Sequence, residues 1–492
     1  MNREDKTTGA AHGGVLVELP LCDAAHNFNL EKAVCSHGLF MMAPNHWDPH
    51  SKTLKRPLRL HPQDDDTSVM VHVSHPPNSP QALHLRVFSP HAPSPQQLQY
   101  LLNQVRRMLR LSDEEGRMLL EFHKVHGEAK ERGFGRVFRS PTLFEDMVKC
   151  MLLCNCQWSR TLSMAEALCE LQKELQHMSR TTSNVTAETE TISSGQRTEM
   201  KHFAPKTPLG KESKRKSRVR KHSKKLANKC VQATGAEETE PKFVTTEIVE
   251  RFEETKKLYP TFPARDIRDI FLEKCISLQS EDDVPNHQHS QTRENYGCSI
   301  VGNFPSPREL ARFDAEFLAK RCNLGYRAGR IINLARGIVE GRIQLQELEC
   351  SCGTISLADY DKLVKKLRMV DGFGPFTCAN VLMCMGSYHV VPTDSETIRH
   401  LKKVHTKGSS QKTVQKDVED IYGKYAPFQF LAYWAEVWHF YEEWFGIFSE
   451  MPHSSYKLIT AANMRPKRER ASKRKKLPLC TIHDDFTEQM EA

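Results

Sequence analysis

The sequence lacks the features that would place the chain in a membrane or in an oxidising compartment. No apolar run is long enough to cross a bilayer, which takes about 20 predominantly apolar residues. The first 14 residues are polar and contain no apolar core of a secretory signal. We therefore expect no membrane association, and we expect the 15 cysteines to be reduced thiols.

The cysteines also lack the spacing of a metal site. One residue separates Cys154 from Cys156, and one separates Cys350 from Cys352. Neither pair has a second pair at the distance that zinc or iron–sulfur centres require. The sequence therefore predicts no bound metal.

The net positive charge of the chain comes from two short segments. Residues 211–225 contain nine Lys or Arg and one Glu, and residues 465–476 contain eight Lys or Arg and one Glu. These segments contribute +15 to a net charge of +9, so the rest of the chain carries −6. Any nucleic-acid surface on the folded part must therefore be local. The second segment is spaced like a bipartite nuclear-localisation signal, which predicts a nuclear protein.

Alternating apolar residues predict a small antiparallel β-rich domain over residues 15–93, after a disordered terminus at 1–14. Strands are expected at 15–19, 69–73 and 83–87, where apolar and polar side chains alternate. A proline-rich connection separates the last two strands. We interpret Asn45-His46-Trp47 as an amphipathic turn, not as a metal or base-stacking motif.

From residue 94 on, apolar residues recur at helical spacing. Two blocks, 94–177 and 301–454, are predicted to form one helical core, which gives an α+β fold class. They include single helices over 308–321 and 427–445, the second rich in aromatic rings that we mostly assign to the core. The polar segment 178–300 is predicted to be a long disordered insertion with a helix at 244–285. A disordered basic tail is expected over 455–492.

Residues 357–386 predict two helices joined by a hairpin. The first helix should stop at Asp371-Gly372-Phe373-Gly374, where two glycines permit backbone angles that a side chain would forbid. Pro375 then begins the second helix, as proline does at a first helical position. The free backbone amides of that helix start could hold a phosphate.

A carboxylate follows at the entrance of the next helix. Asp394 lies between an extended Val391-Pro392 pair and a new helical pattern. Taken alone, this arrangement favours a helix cap, either by Asp394 or by a capping box of Thr393 and Glu396. Chemistry at Asp394 becomes the better interpretation only when the whole hairpin unit is considered.

The unit resembles the helix-hairpin-helix (HhH-GPD) superfamily of base-excision DNA glycosylases. Gly372-Phe373-Gly374 followed by Asp394 is similar to its hairpin and aspartate signature. Residues 323–328 resemble the Leu-Gly-Tyr-Arg-Ala motif of 8-oxoguanine glycosylases, and residues 154–160 fall where that branch has an Asn-rich loop. The β-rich part resembles the sheet domain of the 8-oxoguanine and alkyladenine branches, so the resemblance spans 20–175 and 300–445.

The resemblance implies an enzyme that hydrolyses the N-glycosidic bond of a flipped, modified base in base-excision repair. Its partner would be double-stranded DNA, and it would act as a monomer. The implied catalytic residue is Asp394. The residues implied to bind the DNA backbone are Gly372, Gly374, Pro375 and Thr377. The residues implied to form the base pocket or the wedge are Asn155, Trp158, Phe376, Asn380, Phe428, Phe430 and Trp434.

Three positions depart from the family. Phe376 stands where bifunctional members have a Schiff-base lysine, so we expect a monofunctional enzyme without lyase activity. Phe430 stands where 8-oxoguanine enzymes have a glutamine that reads the base, which argues against that substrate. Asp371 replaces the usual proline and places a negative charge near the phosphate site. No cofactor is implied, since no four-cysteine iron–sulfur cluster follows the core; only a monovalent cation could bind at the hairpin.

Two other classes of function remain open on the sequence. The hairpin could serve a non-catalytic DNA-binding module that recognises the shape of damaged DNA. The chain could also be a protein-interaction scaffold, which would have no salt-sensitive affinity for DNA. Replacing Asp394 separates the enzyme from the binding module, because only an enzyme would lose turnover while keeping its affinity.

Overall fold

The computed structural model describes residues 14–61, 68–188, 302–350 and 355–464, with side chains to 178 and to 349 in the second and third ranges. Nearly all of them belong to one compact unit, which comprises the chain up to Val185 and from Tyr296 on. The predicted N-terminal disorder, the helix at 244–285 and both basic segments lie outside the described residues. The helix that begins at Trp158 continues through Glu188, into the first residues of the predicted insertion.

The N-terminal part is a five-stranded antiparallel sheet in the order β1-β5-β4-β3-β2. Its strands are β1 Val15–Pro20, β2 His46–Asp48, β3 Thr53–Arg59, β4 Ser68–Ser74 and β5 Ala82–Phe88. The three predicted strands are confirmed as β1, β4 and β5. Strand β3 was not predicted, because most of its residues are buried on both faces and its sequence shows no alternation.

The prediction of a turn at Asn45-His46-Trp47 is wrong, since His46 and Trp47 belong to β2. Trp47 is 1% exposed, and its indole N–H donates a 2.8 Å hydrogen bond to the carbonyl of Ser449. The ring therefore joins the sheet to the end of the helical part and is not available for base stacking.

The helices alternate with short loops. Before the undescribed insertion they are α1 Leu30–Val34, α2 Pro95–Leu109, α3 Asp113–Val125, α4 Gly127–Arg132, α5 Leu143–Leu153 and α6 Trp158–Glu188. After it they are α7 Pro307–Ala311, α8 Ala315–Arg321, α9 Arg327–Val339, α10 Leu345–Cys350, α11 Leu357–Arg368, α12 Pro375–Met385, α13 Ser395–Val404, α14 Val414–Tyr422 and α15 Gln429–Phe445.

Two helix predictions need correction. The single helix expected over 308–321 is two helices, because Asp314 interrupts it and caps α8 by accepting the amide of Phe317 at 2.8 Å. The aromatic helix α15 starts at Gln429, two residues later than expected. Helices α11 and α12 confirm the predicted pair on either side of the hairpin.

A buried ion cluster joins the sheet to the helical core. Glu145 on α5 lies 3.1 Å from Arg56 of β3 and 2.7 Å from Lys149, one turn further along α5. Burial alone would raise the pKa of Glu145, but Arg56 and Lys149 outweigh it and lower the pKa to about 2. The carboxylate is therefore ionised at neutral pH and balances two buried cations.

The fold class is α+β, as predicted, with one sheet followed by a mainly helical core. Within the described ranges, no helix combines the length and apolar character needed to span a bilayer. The nine cysteines that the structure describes are free thiols.

Candidate active site

A cavity of about 220 Å³ lies between an N-terminal turn and the helices α12, α13 and α15. Six of the residues predicted to act in chemistry or base binding line it: Trp158, Phe376, Asn380, Asp394, Phe430 and Trp434. The cavity therefore brings together side chains from three separate helices, α6, α12 and α15, and the capping residue of α13.

Asp394 is both a helix cap and a wall of this cavity. Its Oδ1 accepts the backbone amide of Thr397 at 3.0 Å and lies 3.0 Å from the hydroxyl of the same residue. Among the described residues, no hydrogen bond reaches Oδ2 of Asp394. Burial raises the pKa of this carboxyl above its ordinary value, and the two contacts with Thr397 offset only part of that effect. The cap uses one oxygen and leaves the other for a ligand.

Thr397 connects Asp394 to the aromatic helix. Its hydroxyl lies 2.5 Å from the carbonyl of Pro392 and 3.0 Å from the hydroxyl of Tyr433 on α15. Thr397 is fully buried and Tyr433 nearly so. These contacts fix the position of the Asp394 carboxylate relative to α15.

Glu396 does not form the alternative capping box with Thr393. Its carboxylate instead pairs with Arg399, one turn along α13, and accepts a 2.7 Å hydrogen bond from the hydroxyl of Tyr441. Glu396 and Tyr441 both line the cavity. Neither residue was predicted to belong to the site. The cavity thus has a second carboxylate, whose charge is balanced by Arg399.

His37 was also missed, and it lines the cavity from the N-terminal turn. The ring lies 4.6 Å from that of Trp434, and its Nδ1 accepts the backbone amide of Leu39 at 3.2 Å. Burial, and secondarily Arg110, lower the pKa of His37 to about 3, so the imidazole is neutral. Because Nδ1 is an acceptor, the single ring proton is on Nε2. His37 can therefore donate one hydrogen bond to a cavity ligand.

The indole N–H groups of the site are already bonded to backbone carbonyls. Trp158 donates to Tyr456 at 2.9 Å, and Trp434 donates to Ser36 at 3.0 Å. These bonds fix both rings and leave their faces and edges to the cavity. Aromatic walls of this kind suit a flat heterocycle.

The hairpin needs a glycine at only one of its two positions. Gly372 has φ +86°, and a Cβ there would come within 2.4 Å of Cδ of Arg330. Gly374 has φ −84° and ψ −178°, an extended conformation that any residue adopts. The expectation that both glycines are conformationally required is therefore corrected.

Open space lies in front of the start of α12. Gly374 and Pro375 are exposed, and a Cβ at Gly374 would have nothing within 4 Å. The first backbone amides of a helix have no intrahelical partner, so those at the start of α12 are available to a ligand. Asp371, whose charge was expected near the phosphate site, lies 3.8 Å from Arg330.

Thr377, which was predicted to bind the DNA backbone, has a buried side chain. Its side chain is 1% exposed, and its hydroxyl lies 3.1 Å from Sγ of Cys154. Its hydroxyl therefore points into the protein, and its amide lies in the first turn of α12. Phe428 is likewise buried, edge-on to Phe122 at 5.8 Å, and does not line the cavity.

Asn155 lies in an exposed loop between α5 and α6, in a left-handed conformation with φ +47°. It is not among the cavity-lining residues, although Leu153 and Trp158 on either side of it are. Arg327 bonds to the carbonyls of Met151 and Cys154 at the base of this loop, and the hydroxyl of Tyr326 lies 3.4 Å from the second carbonyl. The motif at 323–328 thus supports the loop that carries Asn155.

No protein-family model and no curated protein matches the sequence. Solved structures of DNA glycosylases nevertheless align with most of the chain. MBOgg1 in complex with a low-affinity DNA ligand is 14% identical, with 85% of this chain and 93% of that chain covered at a TM-score of 0.45. The 8-oxoguanine glycosylase/lyase of Clostridium acetobutylicum is 11% identical, with coverages of 84% and 93% and a TM-score of 0.43.

The 3-methyladenine DNA-glycosylase of Archaeoglobus fulgidus is 15% identical, with coverages of 86% and 98% and a TM-score of 0.43. The clostridial enzyme has also been solved with double-stranded DNA. At such identities and TM-scores these similarities carry no conclusion about activity, which depends on the residues of the cavity.

Proposed function

We propose that this chain is a DNA glycosylase that hydrolyses the N-glycosidic bond of a modified base flipped out of double-stranded DNA. The observation that carries the proposal is the state of Asp394. It is a half-buried carboxylate in the wall of an aromatic cavity, with one oxygen in a helix cap and the other without a hydrogen-bond partner among the described residues.

The cavity has the properties that a flipped base requires. Taking a base out of the duplex costs a few kcal/mol, and stacking on an aromatic side chain returns roughly 1–3 kcal/mol per base. Phe376, Phe430 and Trp434 supply such surfaces, and the Nε2 proton of His37 can bond to an acceptor on the base edge. These contacts favour an extrahelical base at this position.

The chemistry then requires one negative charge beside the sugar. Cleavage of an N-glycosidic bond develops positive charge on the sugar ring, and a nearby carboxylate stabilises that charge and orients or deprotonates water. Asp394 can do this only when ionised. Because burial raises its pKa, activity should decline on the acid side at a higher pH than an exposed aspartate would give.

The hairpin would hold the DNA backbone. The start of α12 presents free amides to open space in front of Gly374, and such a helix start attracts phosphate. Phe376 and Asn380 lie further along the same helix and line the cavity. One helix would thus bind the phosphate at its start and contact the base along its side.

We further propose that the enzyme is monofunctional and that its hydrolysis needs no cofactor. A lyase requires an amine nucleophile, and Phe376 occupies the position of the family's lysine. No lysine is found among the described residues that line the cavity. Borohydride trapping on a cleavable duplex should therefore give no covalent adduct, and an adduct traced to a lysine would contradict this part of the proposal.

The decisive experiment compares Asp394→Asn with Asp314→Asn. Both aspartates cap a helix by accepting the amide three residues on, but only Asp394 lines the cavity. Asparagine caps about as well as aspartate. Wild type is first screened on duplexes with alkylated, oxidised, deaminated and methylated bases, and the variants are then compared on the best substrate in single-turnover excision and DNA titrations.

We expect Asp394→Asn to excise at least about 100-fold more slowly, as when one electrostatic stabiliser is lost, with unchanged DNA affinity. Asp314→Asn should keep the wild-type rate. If Asp394→Asn excised the base at the wild-type rate, the carboxylate of Asp394 would serve only as a helix cap. A wild type that binds DNA but excises no base on the panel would support the non-catalytic binding module instead.

A further inference from the structure

Two histidines and a glutamate converge at a second place, away from the cavity lining. His400 is on α13, His405 is the residue that ends α13, and Glu436 is on α15. Their Nε2 and carboxylate oxygen atoms all lie within 4.8 Å of one another. Oε1 of Glu436 is 2.6 Å from Nε2 of His400 and 2.7 Å from Nε2 of His405.

Hydrogen bonds alone account poorly for this arrangement. The hydroxyl of Tyr422 also lies 2.9 Å from Oε1 of Glu436 and 3.3 Å from Nε2 of His405. Three potential donors thus converge on one oxygen that has two lone pairs. Among the described residues, none donates to Oε2 of Glu436. A cation between the two imidazoles and the carboxylate would use these atoms as ligands and remove the competition.

We propose that His400, His405 and Glu436 form a binding site for a divalent transition-metal ion, with zinc as the best fit. Two imidazole nitrogens and one carboxylate oxygen are a common zinc donor set. Zinc–ligand bonds of roughly 2.0–2.1 Å in tetrahedral geometry separate the donor atoms by about 3.3 Å. Oε1 of Glu436 therefore needs to move about 0.6 Å further from each of the two imidazole nitrogens, which side-chain rotation can supply.

His405 and Glu436 can make this movement, whereas His400 is held in place by its neighbours. His405 and Glu436 have side chains that are 26% and 31% exposed, so they can shift and leave a path for the ion. His400 is fully buried, and its ring packs edge-on against Tyr433 and Phe440 at 5.6 and 5.8 Å. Among the residues that the structure describes, Nδ1 of His400 has no hydrogen-bond partner, so these ring contacts set its orientation.

The ion would connect the end of α13 to the middle of α15. Asp394 caps the start of α13, and α15 carries Trp434 and Tyr433 of the cavity. The metal would thus stiffen the pair of helices that holds the carboxylate, without entering the cavity. It therefore has a structural role that does not depend on the proposed glycosylase reaction.

The test uses the full-length chain, stripped of metal and titrated with Zn²⁺ in competition with a chromophoric chelator. His405→Gln and Glu436→Gln remove one ligand each. His439→Gln is the matched control, because this histidine is on α15, is 41% exposed and pairs only with Glu443 among the groups the structure describes. Circular dichroism checks the fold of each metal-free variant.

Loss of a partner outside the ligand set typically costs 10–100-fold in metal affinity, so loss of a ligand should cost more than about 100-fold. We expect this for His405→Gln and Glu436→Gln and no change for His439→Gln. X-ray absorption of the zinc-loaded wild type should show nitrogen and oxygen neighbours and no sulfur, which also decides the matter if the variants do not fold. A sulfur shell, or equal zinc affinity in wild type and His405→Gln, would overturn the site.

Discussion

Oδ1 of Asp394 lies 3.0 Å from both the backbone amide and the hydroxyl of Thr397, so the carboxylate is held by a single residue one turn further along its own helix. The same residue touches the hydroxyl of Tyr433 on α15. Because both contacts of the carboxylate with Thr397 involve Oδ1, the helix cap leaves Oδ2 for the proposed catalytic role.

The raised pKa of Asp394 predicts how its replacement affects stability. A carboxyl whose pKa is higher in the folded than in the unfolded state binds its proton more tightly when folded. Stability is then lost as pH rises from the unfolded pKa through the folded one. Asp394→Asn removes this loss, so it should melt at or above the wild-type temperature at pH 7, and the difference should vanish below about pH 3.8.

Thermal melting of both proteins across this pH range is the measurement. The charge of a capping aspartate also favours a helix start, by about 0.3–1 kcal/mol. A variant that melts clearly below wild type at pH 7 would show that this effect outweighs the burial of the charge.

The two hairpin glycines should respond differently to substitution. Gly372→Ala forces a side chain into a left-handed conformation and against Arg330, at a cost of roughly 1–3 kcal/mol of unfolding free energy. Gly374→Ala should leave stability unchanged, because its backbone is extended and the space around it is open. If that space receives a phosphate, Gly374→Ala should weaken binding to damaged and undamaged duplex alike.

Chemical denaturation and DNA titration of the pair separate the two effects. If Gly374→Ala kept full DNA affinity, the phosphate would not bind at the start of α12. Equal destabilisation by both substitutions would contradict the difference in their backbone angles.

His37 is predicted to act through its Nε2 proton. His37→Asn keeps an acceptor near the position of Nδ1 for the amide of Leu39 but has no atom at Nε2. His37→Gln can place a donor at the position of Nε2. Losing one hydrogen bond costs about 0.5–1.5 kcal/mol, so His37→Asn should reduce excision by roughly 2–10-fold, and His37→Gln should retain more activity.

Single-turnover rates on one substrate provide the comparison. Since the pKa of His37 is about 3, neither variant should change the pH profile between pH 5 and 8. Equal rates for wild type and both variants would show that His37 serves only to cap its turn.

The buried ion cluster predicts a large loss of stability. Glu145→Gln leaves Arg56 and Lys149 buried without a counter-charge, which typically costs about 3–5 kcal/mol. Glu121→Gln, in an exposed pair with Lys124, is the control and should change stability by no more than about 0.5 kcal/mol. Urea unfolding at pH 7 measures both variants, and similar small effects would mean that the cluster contributes little.

The same cluster makes a prediction for acid. The folded pKa of Glu145, about 2, lies below its ordinary value of 4.5, so its contribution is fully present above pH 4.5. It should be lost progressively as pH falls toward 2. The stability difference between wild type and Glu145→Gln should therefore shrink over that interval.

The basic segments 211–225 and 465–476 are predicted to add nonspecific DNA affinity and to direct nuclear import. Each neutralised phosphate contributes roughly −0.9 to the slope of log affinity against log salt. Deleting both segments should flatten that slope while sparing excision of a short duplex at low salt. A tagged protein that lacks both segments should no longer accumulate in the nucleus. An unchanged salt slope would show that the segments do not contact DNA.

Local features of the site could be predicted from the sequence. The helix start at Pro375, the turn at Gly372 and the cap at Asp394 depend on backbone angles and on hydrogen bonds within a few residues. Such features depend only on neighbouring residues, so the local sequence is enough to predict them. For the same reason, alternating strands such as β4 and β5 were recognised and β3, buried on both faces, was not.

Only the tertiary structure decided which distant side chains meet. His37 faces the cavity because α15 packs against the N-terminal turn, where Trp434 bonds to the carbonyl of Ser36. Thr377 points inward because the loop after α5 covers that side of α12 with Cys154. His400 and Glu436, 36 residues apart, meet through the packing of α13 on α15. Sequence periodicity indicates which face of a helix is apolar, but the partner of that face depends on how the whole chain folds together.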